Sequence, residues 1–136
     1  MNNMRILLID DDEKVRNLMY ASLKIWYPDC VITQGSDGED LVAHAEEAHQ
    51  KNTPYDLYFT DHNMVRLTGL EALMQIREKG DQTPAIIYTG NVDEVTPYLP
   101  RLRQTYCVLK PCELKKLRKI TEEALMLSCQ TAEKSS

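Results

Sequence analysis

Tyr55-Asp56-Leu57-Tyr58-Phe59-Thr60-Asp61-His62-Asn63-Met64, followed by Gly69, is the stretch on which the fold turns. Its apolar run is too short for a helix, ends in a carboxylate, and is followed by the turn-former Asn63. It reads as a buried strand, Asp56 to Thr60, that delivers Asp61 to one end of a sheet. Near-continuous apolar strands are typical of parallel sheets covered on both faces. The rest of the chain should then supply more such strands with helices between them.

Upstream, Met4 to Ile9 is a continuous strand signal ended by Asp10-Asp11-Asp12. From Glu13 the period becomes helical, with Val15, Leu18, Met19, Ser22 and Trp26 on one face, Asp12 as cap and Pro28 as stop. Cys30 to Gln34 is a short second strand. Ser36-Asp37-Gly38-Glu39 has capping-box spacing, with Ser36 as cap, and opens a helix whose inward face is Leu41, Val42, Ala45 and Ala48. Downstream, Thr68-Gly69-Leu70-Glu71 repeats that spacing. The third helix turns Leu70, Leu73, Met74 and either Ile76 or Arg77 inward and ends at Gly80-Asp81-Gln82-Thr83-Pro84. Ala85 to Thr89 and Tyr106 to Leu109 are the fourth and fifth strands. From Glu113 a last amphipathic helix presents Leu114, Leu117, Ile120, Thr121, Ala124 and Leu125.

The fourth repeat departs from this pattern. Pro97 and Pro100 lie between the last two strands, and a proline inside a helix costs about 3 kcal/mol. Thr96 as cap with Pro97 in the first helical position predicts a stubby helix over Pro97 to Arg103 after an irregular loop. Helix four is therefore expected to be short or displaced.

Strand-helix repeated five times predicts an α/β fold, a doubly wound parallel sheet with right-handed crossovers and a ligand site outside the carboxyl ends of its strands. The 136 residues suffice for one domain, expected over 1–129, with a polar tail at 130–136 expected to fray. No second domain is expected. Hydrophobic content of 43% with 27% charged residues is that of a globular chain, and a net charge of −5 argues against direct nucleic-acid binding. No apolar run is long enough to cross a membrane, and Met1-Asn2-Asn3-Met4 lacks the features of a signal peptide, so a cytoplasmic protein is expected. Cys30, Cys107, Cys112 and Cys129 form no C-x-x-C pair and read as reduced thiols rather than zinc ligands. His44 and His49 fall on different sides of the second helix, and all three histidines, including His62, read as solvated or packed.

Such a sheet brings Asp10-Asp11, Asp61, Thr89 and Lys110-Pro111 together at the ends of strands one, three, four and five. Three carboxylates in one crevice repel unless a cation sits among them. With no Cys or His beside them, a hard, oxygen-seeking ion such as Mg²⁺, or Mn²⁺ in its place, suits the set better than zinc. Asp61 is then a candidate nucleophile toward a phosphoryl group, and Lys110 its counter-charge.

Ile6-Leu7-Leu8-Ile9-Asp10-Asp11-Asp12, Asp61-His62-Asn63-Met64 with Gly69, Tyr88-Thr89-Gly90, and Val108-Leu109-Lys110-Pro111 resemble, in that order, the motifs of the receiver domain of two-component response regulators. The resemblance covers residues 4 to 127. It implies the flavodoxin-like strand order 2-1-3-4-5. It implies that Asp61 accepts a phosphoryl group from a histidine kinase or phosphotransfer protein. Asp10, Asp11, Asp61 and the backbone carbonyl of Asn63 would hold Mg²⁺, Thr89 and Lys110 would bond the phosphoryl oxygens, and Lys110-Pro111 would be cis. Asp61 would attack in line, with catalysis by positioning and charge neutralisation. No enzymatic turnover is expected beyond self-phosphorylation and slow hydrolysis, which Asn63 and Asn91 would tune by controlling water. Output would pass to a protein partner through the face of helix four, strand five and helix five.

The sequence also departs from the family pattern. Val65 follows Met64 where Pro is usual, and Thr68 stands where Asp is common. Three residues before Lys110, where the family often has an aromatic switch residue, stands Cys107, with Tyr106 before it. Alternation would point these two to opposite faces, so either strand five carries a slip or coupling between Thr89 and an aromatic is absent. The alternative function is a receiver-like binding module not controlled by phosphate. A phosphohydrolase resembling the haloacid dehalogenase superfamily would need a second Asp where Asn63 stands.

Overall fold

The apolar runs pair as five parallel strands, β1 Arg5–Ile9, β2 Val31–Gly35, β3 Leu57–Asp61, β4 Ala85–Thr89 and β5 Thr105–Leu109, in the order β2-β1-β3-β4-β5. Between and after them run α1 Glu13–Trp26, α2 Gly38–Gln50, α3 Gly69–Glu78, α4 Leu99–Leu102 and α5 Leu114–Ser135. The computed structural model describes residues 4–135, with side chains described through 128. Residues 1–3, which bear on the signal-peptide reading, and the Cys129 side chain lie outside the described residues.

Period-two alternation splits the strands between two cores. Leu7, Ile9, Tyr58 and Ile87 pack with Leu41 and Ala45 of α2 and Leu70 and Leu73 of α3. Ile6, Leu8, Leu57, Phe59, Ile86 and Val108 pack with Met19 and Leu23 of α1 and Leu117 and Ala124 of α5. Every residue of β3 is buried, and each large apolar side chain so placed contributes roughly 1.5–3 kcal/mol.

Register then sets the ends of the strands. Ile9 pairs with Thr60, so Asp10 emerges beside Asp61. Asp61 pairs with Tyr88 and Thr89 with Leu109, which brings Thr89 and Lys110 to the same end.

Asp12 caps α1, accepting from the Lys14 and Val15 N–H groups. Thr68 and Glu71 complete the expected capping box of α3. At α2 the cap is Asp37 rather than Ser36: the Asp37 carboxylate accepts from Asp40 N–H at 2.9 Å. Ser36 instead donates through both its N–H and its hydroxyl to Asp40 Oδ2. Two acids compete here with one hydroxyl, and charged acceptors make the stronger bonds. Close packing sets the same start, since a Cβ at Gly38 would lie 2.3 Å from the Leu67 carbonyl oxygen.

Two expected core residues are surface residues: Leu18 is 54% exposed and Leu114 46%. The inward stripe of α1 is Met19, Ser22 and Leu23, and Leu18 lies about 100° round from Met19. Leu114 is the first residue of α5, at the end of the helix nearest the carboxyl ends of the strands. The backbone of α5 continues helically through most of the tail expected to fray. Among the described residues Cys30, Cys107 and Cys112 are free, and no helix is long and apolar enough to cross a membrane.

Helix four is short, as the prolines predict. Two 3-10 turns, Val92–Glu94 and Thr96–Tyr98, precede the single turn of α4. Thr96 lies within the second turn and makes no side-chain cap bond. Val95 and Leu102 anchor the segment in the core. Arg103 and Gln104 then take positive φ, 56° and 44°, and end the helix abruptly. Arg77 of α3 closes that end: Nε donates to Leu102 O at 2.6 Å, and Nη2 to Arg103 O and Thr105 Oγ1, both at 3.3 Å. Of the alternatives left by the sequence, Ile76 takes the core position, and Arg77 serves the α4 terminus, whose last carbonyls lack helical partners.

Candidate functional site

Asp10, Asp61 and Thr89 are buried at the carboxyl ends of β1, β3 and β4, with Lys110 half-buried among them. Lys110 Nζ donates to Asp61 Oδ1 at 2.9 Å and lies 4.0 Å from Asp10 Oδ2. His62 N–H also donates to Asp61 Oδ1, at 2.8 Å. Both of these bonds fall on Oδ1. Gly69 lets α3 start against this strand end, because a Cβ there would lie 2.2 Å from the Asp61 carbonyl oxygen. Arg66, at φ 74°, ties the same loop to the cap of α2 through Asp37 Oδ2 at 2.6 Å.

Carboxylate oxygens of Asp10, Asp11 and Asp61 lie within 4.8 Å of one another. Asp10 also accepts from Asp12 N–H at 2.8 Å. Burial first, and then the charges of Asp61 and Asp11, push the Asp10 carboxyl up to about 6, against the pull of the Asp12 N–H and Lys110. A nearby cation would oppose this shift by favouring the charged carboxylate. The all-oxygen donor set fits a hard divalent ion. Asn63 lies exposed in the turn after Asp61.

Thr89 Oγ1 accepts from Asn91 N–H at 3.1 Å, and its carbonyl accepts from Lys110 N–H at 2.8 Å. The Lys110-Pro111 peptide is cis. Lys110 Nζ lies 5.2 Å from the centre of the Tyr88 ring, and the Tyr88 hydroxyl accepts from Cys112 N–H at 3.2 Å. Strand five carries no slip: Ile86 pairs with Tyr106 and Ile87 with Cys107. Cys107 packs in the core of Ile87, Val95 and Leu102, and Tyr106 packs in the other core. The position three residues before Lys110 thus carries a thiol, and burial pushes that thiol's pKa up.

The topology brings together Asp10, Asp11, Asp61, Thr89 and Lys110. Sequence reading missed the bond between the buried His62 ring and Glu94, 3.0 Å from Nε2 to Oε2. Nothing local pairs two residues from different loops, and a histidine beside a candidate nucleophile was the only available signal.

Residues 6–122 match the family model described as the response regulator receiver domain. Transcriptional regulatory protein ResD of Bacillus subtilis is 32% identical over 93 residues, 68% of this chain and 35% of ResD. Regulator of RpoS of Escherichia coli is 34% identical over 121 residues, 85% of this chain and 33% of that protein. The chain therefore spans about a third of the length of these relatives. A CheY-like receiver domain protein from Methanospirillum hungatei has the same fold, with a TM-score of 0.80 at 18% identity, covering 96% of this chain and 99% of that one. The receiver domain of a sensor histidine kinase from Pseudomonas aeruginosa matches with a TM-score of 0.74 at 24% identity, covering 90% of this chain and 98% of its own, and carries magnesium in its active site cleft.

Proposed function

The chain belongs to the response regulator receiver domain family, and from that premise we propose that Asp61 accepts a phosphoryl group and that a protein-interaction surface reports it. The observation that carries this reading is Lys110 Nζ, 2.9 Å from Asp61 Oδ1, beside the cluster of Asp10, Asp11 and Asp61. Asp10, Asp11 and Asp61, with the Asn63 carbonyl, would hold Mg²⁺ or Mn²⁺, which when bound neutralises charge on the phosphoryl oxygens. Asp61 Oδ2 attacks phosphorus, the P–N bond of a donor phosphohistidine breaks, and a mixed carboxylic–phosphoric anhydride forms. Lys110 meets one phosphoryl oxygen and the Thr89 hydroxyl donates to another.

The donor is a histidine kinase or phosphotransfer protein, and the output is a cytoplasmic protein partner at the α4–β5–α5 face. The acidic balance of −5 favours a protein over nucleic acid. The chain is no turnover enzyme beyond self-phosphorylation and slow hydrolysis, with Asn63 and Asn91 controlling access of water to the anhydride. Replacing either Asn should change the decay rate; an unchanged rate would reject that role.

Incubation with acetyl phosphate and Mg²⁺, read by intact mass, tests the function. One phosphoryl group should appear on the wild type and none on Asp61→Asn or in excess chelator. An unmodified wild type would favour the second reading, a binding module independent of phosphate, for which the thiol at Cys107 and the single-turn α4 speak.

A further inference from the structure

One polar chain leads from Asp61 to Thr89 by a route outside the phosphoryl site. His62 is only 4% exposed and its ring lies at the start of α3, where Nδ1 accepts from Leu70 N–H at 3.4 Å. That contact assigns the ring hydrogen to Nε2, which donates to Glu94 Oε2 at 3.0 Å. Glu94 Oε1 accepts from Asn91 Nδ2 at 2.9 Å, and Asn91 N–H donates to Thr89 Oγ1 at 3.1 Å. Both ends meet the reacting groups, since His62 N–H bonds Asp61 Oδ1. Glu94 ends the first 3-10 turn, and the next residue, Val95, is buried in the core with Leu102 and Cys107.

We propose that His62 and Glu94 form a latch that holds the Val92–Glu94 turn in its unphosphorylated position and couples it to Asp61. This rests on the phosphoryl-acceptor reading and deepens it. When Thr89 Oγ1 moves to donate to a phosphoryl oxygen, its bond from Asn91 N–H lengthens. Asn91 holds the carboxylate that holds His62, so the turn and Val95 are displaced together. Movement of Val95 is transmitted into the core beneath α4. Cys107 has no ring to swing there, and the polar chain supplies the mechanical link instead. His62 and Glu94 are positioning residues, because neither side chain touches the reacting atoms. The latch opposes phosphorylation, so weakening it favours the loaded state.

The test titrates the full chain with beryllofluoride, a phosphoryl mimic, in saturating Mg²⁺ and follows backbone amides by NMR. Glu94→Ala, which removes the bonds to both His62 and Asn91, should bind beryllofluoride about fivefold more tightly than the wild type, the low end of coupling between two sites. Glu94→Gln removes the same charge and keeps one acceptor oxygen, enough for His62 Nε2–H or Asn91 Nδ2 but not both, so its tightening should be about twofold and fall between the wild type and Glu94→Ala. His62→Phe keeps ring shape in the buried site, and its effect combined with Glu94→Ala should be about that of either change alone. In the wild type the amides of residues 91–95 should move on loading.

Equal tightening by Glu94→Gln and Glu94→Ala would assign the effect to charge and overturn the latch. So would an unchanged or weaker affinity in Glu94→Ala, or 91–95 amides that stay still while those of Asp61 and Lys110 move. If His62→Phe does not fold, the two Glu94 variants decide the matter alone. A wild type that binds no beryllofluoride would sink the phosphoryl-acceptor reading itself, and the latch with it.

Discussion

The carboxyl ends of β1 and β3 and the segment from β4 through α4 to β5 share one sheet but are held by different means. Around Asp10 and Asp61 the backbone is fixed by central strands, by Gly69 pressed on the Asp61 carbonyl, and by the Thr68–Glu71 box. The α4 segment has a single helical turn, no side-chain caps, the apolar anchors Val95, Leu99 and Leu102, and the guanidinium of Arg77 as its main polar tie. Chemistry needs groups that do not move, and a reporter needs an element that can. On the proposed reading these requirements fall to the two regions, with Thr89 between them.

The largest expected effect tests the rigid half. Lys110→Ala removes the cation nearest Asp61, and the rate of phosphoryl uptake from acetyl phosphate should fall by about a thousandfold. A loss under tenfold would show that the fixed geometry does not carry the chemistry. Next comes the tie of the α4 segment. Arg77→Ala leaves three backbone carbonyls, Asp81, Leu102 and Arg103, without the guanidinium, and urea unfolding should show a loss of about 3 kcal/mol. If the loss is under about 1 kcal/mol, α4 is held by its apolar contacts alone.

A smaller effect concerns the acid site without metal. The Asp10 carboxyl is raised from 3.8 to about 6, so the folded state binds its proton more tightly than the unfolded chain does. Metal-free stability from this group is therefore greatest at low pH and is lost as pH rises from about 4 through about 6. Asp10→Asn should raise the metal-free Tm at pH 7.5 by about 4 °C, and Mg²⁺ should stabilise the wild type more at pH 7.5 than at pH 5. Thermal scans with and without chelator check both, and equal Mg²⁺ shifts at the two pH values would contradict the assignment. Smallest of all, Cys107→Ala should cost under about 1.5 kcal/mol and leave phosphoryl uptake unchanged, since the thiol is filler beside Val95. A slowed uptake would give this position a part in the chemistry.

What the sequence discloses follows the same division. The strands, the caps Asp12 and Thr68, and the convergence of Asp10, Asp61, Thr89 and Lys110 are legible because apolar runs and turn chemistry are local, and parallel topology does the rest. The prolines likewise announce a short α4. The cap of α2 is misread because Ser36 and Asp37 both satisfy a local rule, and the choice depends on Asp40 and on Leu67 from another loop. Leu18 is misplaced because helical periodicity tolerates an error of one position. Arg77 with the end of α4, and His62 with Glu94, are pairings across 25 and 32 residues that only the folded register creates.

The most direct measurement of the central claim is peptide mapping of the protein after brief exposure to acetyl phosphate and Mg²⁺, with the acyl phosphate trapped before digestion. The label should fall on the peptide containing Asp61 and on that residue alone, and should vanish when Mg²⁺ is chelated. A label elsewhere, or one on Asp61 that forms equally well without the metal, would contradict it.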